Sequence, residues 1–228
     1  MDKAEIWLKQ SLDYQFSDPH LLQQALTHSS AQSKNNERLE FLGDAVLGFV
    51  CSELVYRSHS LAPEGDLSRL RASLVRDTSL AEIALQLGLG EHLILGSGER
   101  KTGGHRRESI LADALEAIFG AVYLDAGFDA ARRTVVKAFG TRLQDFPDVE
   151  ELRDPKTRLQ EWLQGRKMGL PLYELVGVTG LAHRRHFEIR CVVAEAAANA
   201  TGNGTTRRNA EQQAAERMLD QLTKGKSE

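Results

Sequence analysis

The chain is short of several things, and each shortage excludes a class of protein. Of its 228 residues only Cys51 and Cys191 are cysteines. They lie far apart inside hydrophobic runs, so they read as buried free thiols rather than a disulfide, and neither has zinc-site spacing. No stretch of 18 or more apolar residues occurs, so no membrane span is expected. The start, Met1-Asp2-Lys3-Ala4-Glu5-Ile6, lacks the apolar core of a secretory signal, and a cytoplasmic location is expected. Internal repeats, low-complexity tracts and EF-hand loops are missing too. The glycine-rich loop from Gly96 to Gly104 lacks the Gly-Lys-Ser/Thr ending of a P-loop. Positive charge is scarce overall, at a net −3, which taken alone argues against a polyanionic partner. Its distribution argues otherwise. From Asp154 onward there are 12 Lys+Arg against 9 Asp+Glu, and the remainder has 17 against 23. What is present, 41% apolar and 27% charged residues, is the composition of a soluble globular protein.

Residues 1–143 read as mostly helical. Ser17-Asp18-Pro19 opens a helix with a cap and a first-turn proline. Asn35 or Asn36 caps the next, expected to run through Leu54, and Pro63-Glu64-Gly65-Asp66 starts another. Residues 78–87 continue the helical period, 96–104 form a loop by composition, and helices follow over about 108–126 and 129–143. The acidic stretch 144–153, with Pro147, is a linker. From Asp154-Pro155 the pattern is helix, three strands (172–179, 186–193 and about 195–201), then a helix capped by Thr205 or Thr206. That order describes a small α+β domain over 154–225, with helices on an antiparallel sheet.

Two helical stretches carry acids that an ordinary buried helix would not tolerate. Glu37, Glu40 and Asp44 fall at i, i+3 and i+7, within about 60° of one another on one helical face. Asp113 and Glu116 form a second pair in an otherwise apolar helix. First-turn placement accounts for Glu37 and Glu40 through the helix dipole, but not for Asp44 or Asp113. Each stripe continues to a glycine one turn on, Gly48 and Gly120, which would let two backbones approach closely. The expectation is a crossing at which Glu40, Asp44, Asp113 and Glu116 converge on a hard cation, Mg²⁺ or Mn²⁺. Two solvated acidic faces are the alternative, and spacing alone leaves it open.

The stretch Asn36-Glu37-Arg38-Leu39-Glu40-Phe41-Leu42-Gly43-Asp44 resembles the signature of the ribonuclease III family, endonucleases of double-stranded RNA. Similar matches are Leu26-Thr27-His28-Ser29, Glu64-Gly65-Asp66-Leu67-Ser68, Gly96-Ser97-Gly98-Glu99 and Arg107-Glu108-Ser109-Ile110-Leu111-Ala112-Asp113. The likeness runs almost end to end, in the short bacterial arrangement. It implies an α-helical N-terminal endonuclease domain and a C-terminal αβββα double-stranded RNA-binding domain. Glu40, Asp113 and Glu116 would be metal ligands, with Asp44 and Glu116 catalytic, and Glu37 and Glu64 would engage RNA or secondary metal. Mg²⁺ (or Mn²⁺) dependence, 5′-phosphate and 3′-hydroxyl ends, staggered cuts and substrates among ribosomal RNA precursors and structured messenger RNAs are likewise implied. Phe41 would plug into a partner subunit of a homodimer; its plain alternative is a core residue. The competing class is a non-catalytic dsRNA-binding protein.

In the C-terminal part, Arg207 and Arg208 occupy a helix's first turn, where the dipole disfavours cations. Phosphate would resolve that conflict, because helix N-termini and arginines both attract anions. Solvated surface charge is the other reading. By resemblance, Thr157, Gln160 and Glu161 would face one minor groove, His183 a second, and Arg207 and Arg208 the phosphates between. His28 is expected to be a packed, hydrogen-bonded histidine at a helix end, and Trp7 and Trp162 to be packing residues.

Overall fold

The computed structural model describes residues 2–143, 146, 152–181 and 184–224. The chain divides into two compact units, Met1–Pro147 and Asp148–Glu228. Of the expected linker, residues 144–153, positions 146, 152 and 153 are among those described.

The first unit is helical: α1 (Lys3–Leu12), α2 (Pro19–Ala25), α3 (Glu37–Ser58), α4 (Glu64–Val75), α5 (Asp77–Gln86), α6 (Ser97–Lys101) and α7 (Glu108–Phe139). Asp18 caps α2 by accepting the His20 N–H at 3.0 Å, with Pro19 in the first turn, as its sequence predicts. The Asn35 side chain, not that of Asn36, meets the start of α3, accepting the Glu37 N–H at 3.1 Å. α3 runs one turn past the expected Leu54. The segment expected as a loop contains the single helical turn of α6. α7 is the buried centre of the unit, packing along α3 and α5. Ile110, Leu111, Leu115, Ile118 and Phe119 are all buried, as the apolar run around Asp113 and Glu116 requires. It kinks at Gly127 (φ 79°, ψ −176°), where the sequence places a break between two helices.

Where α3 and α7 cross, they touch backbone to backbone. A Cβ added to Gly43 would lie 1.8 Å from the Glu116 carbonyl oxygen, and one added to Gly120 would lie 2.2 Å from that of Leu39. Any side chain at either position would force the helices apart. Gly48, expected to serve this purpose, has nothing within 4 Å of its added Cβ. It is Gly43, a turn nearer the acids, that faces α7.

The second unit has α8 (Pro155–Gln164), β1 (Leu172–Thr179), β2 (His186–Val193), β3 (Ala198–Gly204) and α9 (Arg207–Lys224). The strands form one antiparallel sheet in the order β1-β2-β3, with a register shift between Leu175 and Gly177. β3 begins three residues later than expected. Residues Ala194–Ala196 form a single turn, and Ala197 takes a left-handed conformation (φ 47°) before the strand starts. Leu159 and Leu163 of α8, Ile189, Cys191 and Val193 of β2, and Ala210, Ala214 and Met218 of α9 make the core. The alanine face of α9 allows an intimate fit, since a Cβ on Gly202 would meet the Ala214 nitrogen at 2.2 Å. Both cysteines are buried and free, as expected. Among the described residues, no helix is long and apolar enough to cross a membrane.

Candidate metal centre and nucleic-acid surfaces

Glu40, Asp113 and Glu116 each offer a carboxylate oxygen, and these three atoms lie within 4.8 Å of one another. Glu40 comes from the first turn of α3, the other two from successive turns of α7, and the glycine-mediated crossing brings them together. All three are half-buried. Burial and the charges of neighbouring acids push every one of them above the ordinary carboxylate range. For Glu116 the effect is largest: burial first, then the charges of Asp44, Glu40, Asp113 and Asp77, raise its pKa from 4.5 to about 8. Glu40 is raised by burial, then by Asp113, Glu37, Asp44 and Asp77. Asp113 is raised by burial and by Asp77, with the imidazole of His28 opposing.

Such a group needs protons or a cation. The donors are hard carboxylate oxygens with no sulfur or imidazole among the three, so the set fits an oxygen-seeking divalent ion.

Asp44 is exposed and lies outside the converging trio, although its charge reaches Glu116. The four-carboxylate convergence expected from spacing is therefore a trio with Asp44 at its margin. Asp44 shares the helical face of Glu37 and Glu40, one turn beyond Glu40, but its side chain is exposed. Glu37 is exposed and bonded to Asn35 Nδ2 at 3.3 Å. Glu64 is exposed and accepts from Ser68 Oγ at 2.7 Å, while its neighbour Asp66 is buried against Arg69 at 2.5 Å. Asp77, in the first turn of α5, was not legible as part of this field, because a first-turn acid reads as ordinary dipole matching. His28 is hydrogen-bonded as expected, with Nδ1 2.8 Å from Ser30 Oγ and its backbone N–H donating to the Ile94 carbonyl.

Phe41 is not a core residue: it is 80% exposed. An apolar groove of about 450 Å³ is formed by Leu42, Ala45, Val46 and Phe49 of α3 with Tyr123 and Phe128 of α7.

In the second unit, Thr157, Gln160 and Glu161 are exposed along α8, opposite the buried Leu159 and Leu163. Arg207 and Arg208 are exposed in the first turn of α9, which Thr206 caps by accepting the Asn209 N–H at 3.1 Å. Arg207 Nε donates to Glu211 at 3.0 Å, and Arg208 lies 3.9 Å from Asp154. His183 falls outside the described residues.

A helical unit built around a carboxylate trio, followed in the chain by an α-β-β-β-α unit with arginines at a helix N-terminus, has the features of a nucleic-acid enzyme with a separate binding domain. Comparison with known proteins makes that specific. Residues 18–143 match the family described as ribonuclease-III-like, and residues 155–222 match the double-stranded RNA binding motif. The chain is 55% identical to ribonuclease 3 of Methylococcus capsulatus, over 98% of this chain and 97% of that one. It is 54% identical to ribonuclease 3 of Dechloromonas aromatica, over 92% and 95%. A crystal structure of the nuclease domain of ribonuclease III from Campylobacter jejuni superposes with a TM-score of 0.61 at 46% identity, covering 64% of this chain and all of that one. A second structure of that domain matches at a TM-score of 0.56 and 50% identity over 58% and 96%, and is described as having structural flexibility in a region involved in dimer formation. The chain belongs to the ribonuclease III family and is an endoribonuclease with a double-stranded RNA-binding domain.

Proposed function

We propose that this protein is a homodimeric, Mg²⁺-dependent endonuclease that cuts both strands of double-stranded RNA in a staggered manner. Its expected products carry 5′-phosphate and 3′-hydroxyl ends. The observation that carries the reading is the half-buried trio Glu40, Asp113 and Glu116, whose raised pKa values call for a compensating cation. Those three would hold Mg²⁺, with Mn²⁺ as a substitute, and Asp44 and Glu116 are assigned to catalysis. When bound, the ion supplies charge neutralisation and an activated water for in-line displacement at phosphorus. The chain's own part is to keep the carboxylates rigid at the α3–α7 crossing. It also holds a proton on Glu116 until the site is filled, and releases that proton on loading.

Residues 1–143 act as the nuclease domain, 144–153 as the linker and 154–225 as the RNA clamp. Thr157, Gln160, Glu161 and His183 would face minor grooves and Arg207 and Arg208 the phosphates, while Glu37 and Glu64 engage RNA beside the acidic centre. Phe41 would enter the apolar groove on a second copy's α3; its exposure and that groove support a symmetric dimer. Ribosomal RNA precursors and structured messenger RNAs in the cytoplasm are the expected substrates.

The test is cleavage of a long, end-labelled RNA duplex by wild type and Glu116→Gln, in Mg²⁺ and in Ca²⁺. Staggered cuts by wild type in Mg²⁺ alone, with the variant binding but slowed about 10³-fold, support the metal nuclease. Tight binding without cleavage by either protein would leave a dsRNA-binding protein, and 2′,3′-cyclic phosphate ends would reject the metal–water route.

A further inference from the structure

We propose that Glu211 is a positioning residue for RNA binding: it holds Arg207 in its phosphate-facing pose and ties that arginine to α8. The inference rests on the reading of Arg207 as a phosphate contact. Glu211 lies one turn into α9, with a side chain only 15% exposed, and accepts from two cations at once. Lys156 Nζ of α8 is 2.7 Å away and Arg207 Nε is 3.0 Å away. Lys156 is itself fixed from a second side, with Nζ 4.6 Å from the centroid of the Tyr173 ring. A parallel tie runs beside it. Asp154 caps α8 at the Lys156 N–H (2.9 Å), accepts from Gln212 Nε2 at 2.6 Å, and approaches Arg208 at 3.9 Å.

Three of these links, Lys156–Glu211, Asp154–Gln212 and Asp154–Arg208, join the start of α8, which carries Thr157 and Gln160, to the start of α9. The two expected RNA-facing surfaces are thus set at a defined spacing before RNA arrives. An exposed arginine normally surrenders much rotamer freedom when it grips a phosphate. Holding it through Nε removes part of that loss in advance and leaves the two terminal nitrogens for the ligand. The Lys156 hydrogen bond, then that of Arg207, keep the Glu211 carboxyl below the ordinary carboxylate range, so it stays charged.

Charge and positioning make opposite predictions here, which is what allows a decision. A carboxylate behind a phosphate-binding arginine repels RNA, so a purely electrostatic role means that neutralising it tightens binding. A positioning role means that neutralising it weakens binding.

The experiment measures affinity of the full chain for a blunt RNA duplex longer than the roughly 16 base pairs one such domain spans. It is done in Ca²⁺ over a KCl series, for wild type, Glu211→Gln, Arg207→Ala and the double variant, with thermal unfolding of each. The expected result is that Glu211→Gln weakens binding about five-fold and lowers the salt slope by about one, despite removing a negative charge. In the Arg207→Ala background it should cost nothing further. If Glu211→Gln binds as well as or better than wild type while Arg207→Ala is weakened, the positioning role is overturned and the phosphate contact stands. If Arg207→Ala binds like wild type, the contact reading itself has failed. A loss that persists in the Arg207→Ala background together with a lowered unfolding midpoint would make Glu211 merely structural, and also overturns the proposal.

Discussion

The two units treat charge in opposite ways. In the first, three half-buried carboxylates share one spot, and every large influence on Glu116 raises its pKa. In the second, Lys156, Arg207 and Arg208 each meet a carboxylate, at distances from 2.7 to 3.9 Å. Like charges held together by a rigid helix crossing store an electrostatic cost that a cation relieves, so that centre is built around something it must acquire. Opposite charges at a wet surface are nearly balanced, each such pair contributing about 0–1 kcal/mol, and leave arginine nitrogens free to meet a phosphate. Enzymatic chemistry needs the first arrangement; reversible grip on a polyanion needs the second.

Changing the crossing should break this contrast most severely. Gly43→Ala places a methyl group against the Glu116 carbonyl and is expected to destabilise the first unit by about 3 kcal/mol or more, as read by denaturant unfolding. The same variant should lose the Mg²⁺-dependent rise in Tm, because the trio no longer converges. Next in size, Arg207→Ala with Arg208→Ala should weaken duplex binding about ten-fold and flatten its salt dependence by about two, measured by titration at several KCl concentrations. An unchanged salt slope would count against phosphate contact.

A smaller effect follows from Glu116. Its folded pKa, about 8, exceeds the ordinary 4.5, so between those values the folded protein holds a proton that the unfolded chain has released. Stability without metal therefore falls as pH rises through that window and levels off above it. Thermal unfolding should show this slope reduced in Glu116→Gln and in saturating Mg²⁺. Smallest is the control at the glycine that does not face α7: Gly48→Ala should stabilise by about 0.5–1 kcal/mol, since its Cβ enters open space within a helix. Destabilisation there would mean that the face around Gly48 is occupied.

Much of the small domain could be read directly. Asp154-Pro155 marks the start of α8, and the alternation over 172–179 and 186–193 matches β1 and β2 as observed. β3 could not be placed so well, because Ala194–Ala198 carries no alternating signal and the left-handed turn at Ala197 uses a residue that does not advertise it. In the nuclease unit, helical spacing put Glu37, Glu40 and Asp44 on one face, yet Glu40 alone joins the trio. Spacing defines a direction around one helix, whereas convergence depends on where along its length a second helix crosses.

By itself, then, the sequence determined the two-part organisation, the helix caps, the acidic faces of α3 and α7 and the family to which the chain belongs, since all of these rest on local chemistry and ordered motifs. Only the tertiary structure decided that Gly43 and not Gly48 seats α3 against α7, that Asp77 joins the electrostatic field, and that Glu211 links Lys156 to Arg207. Those facts depend on contacts between residues distant in the chain, and periodicity carries no information about which distant backbone will come within 2 Å of an added carbon.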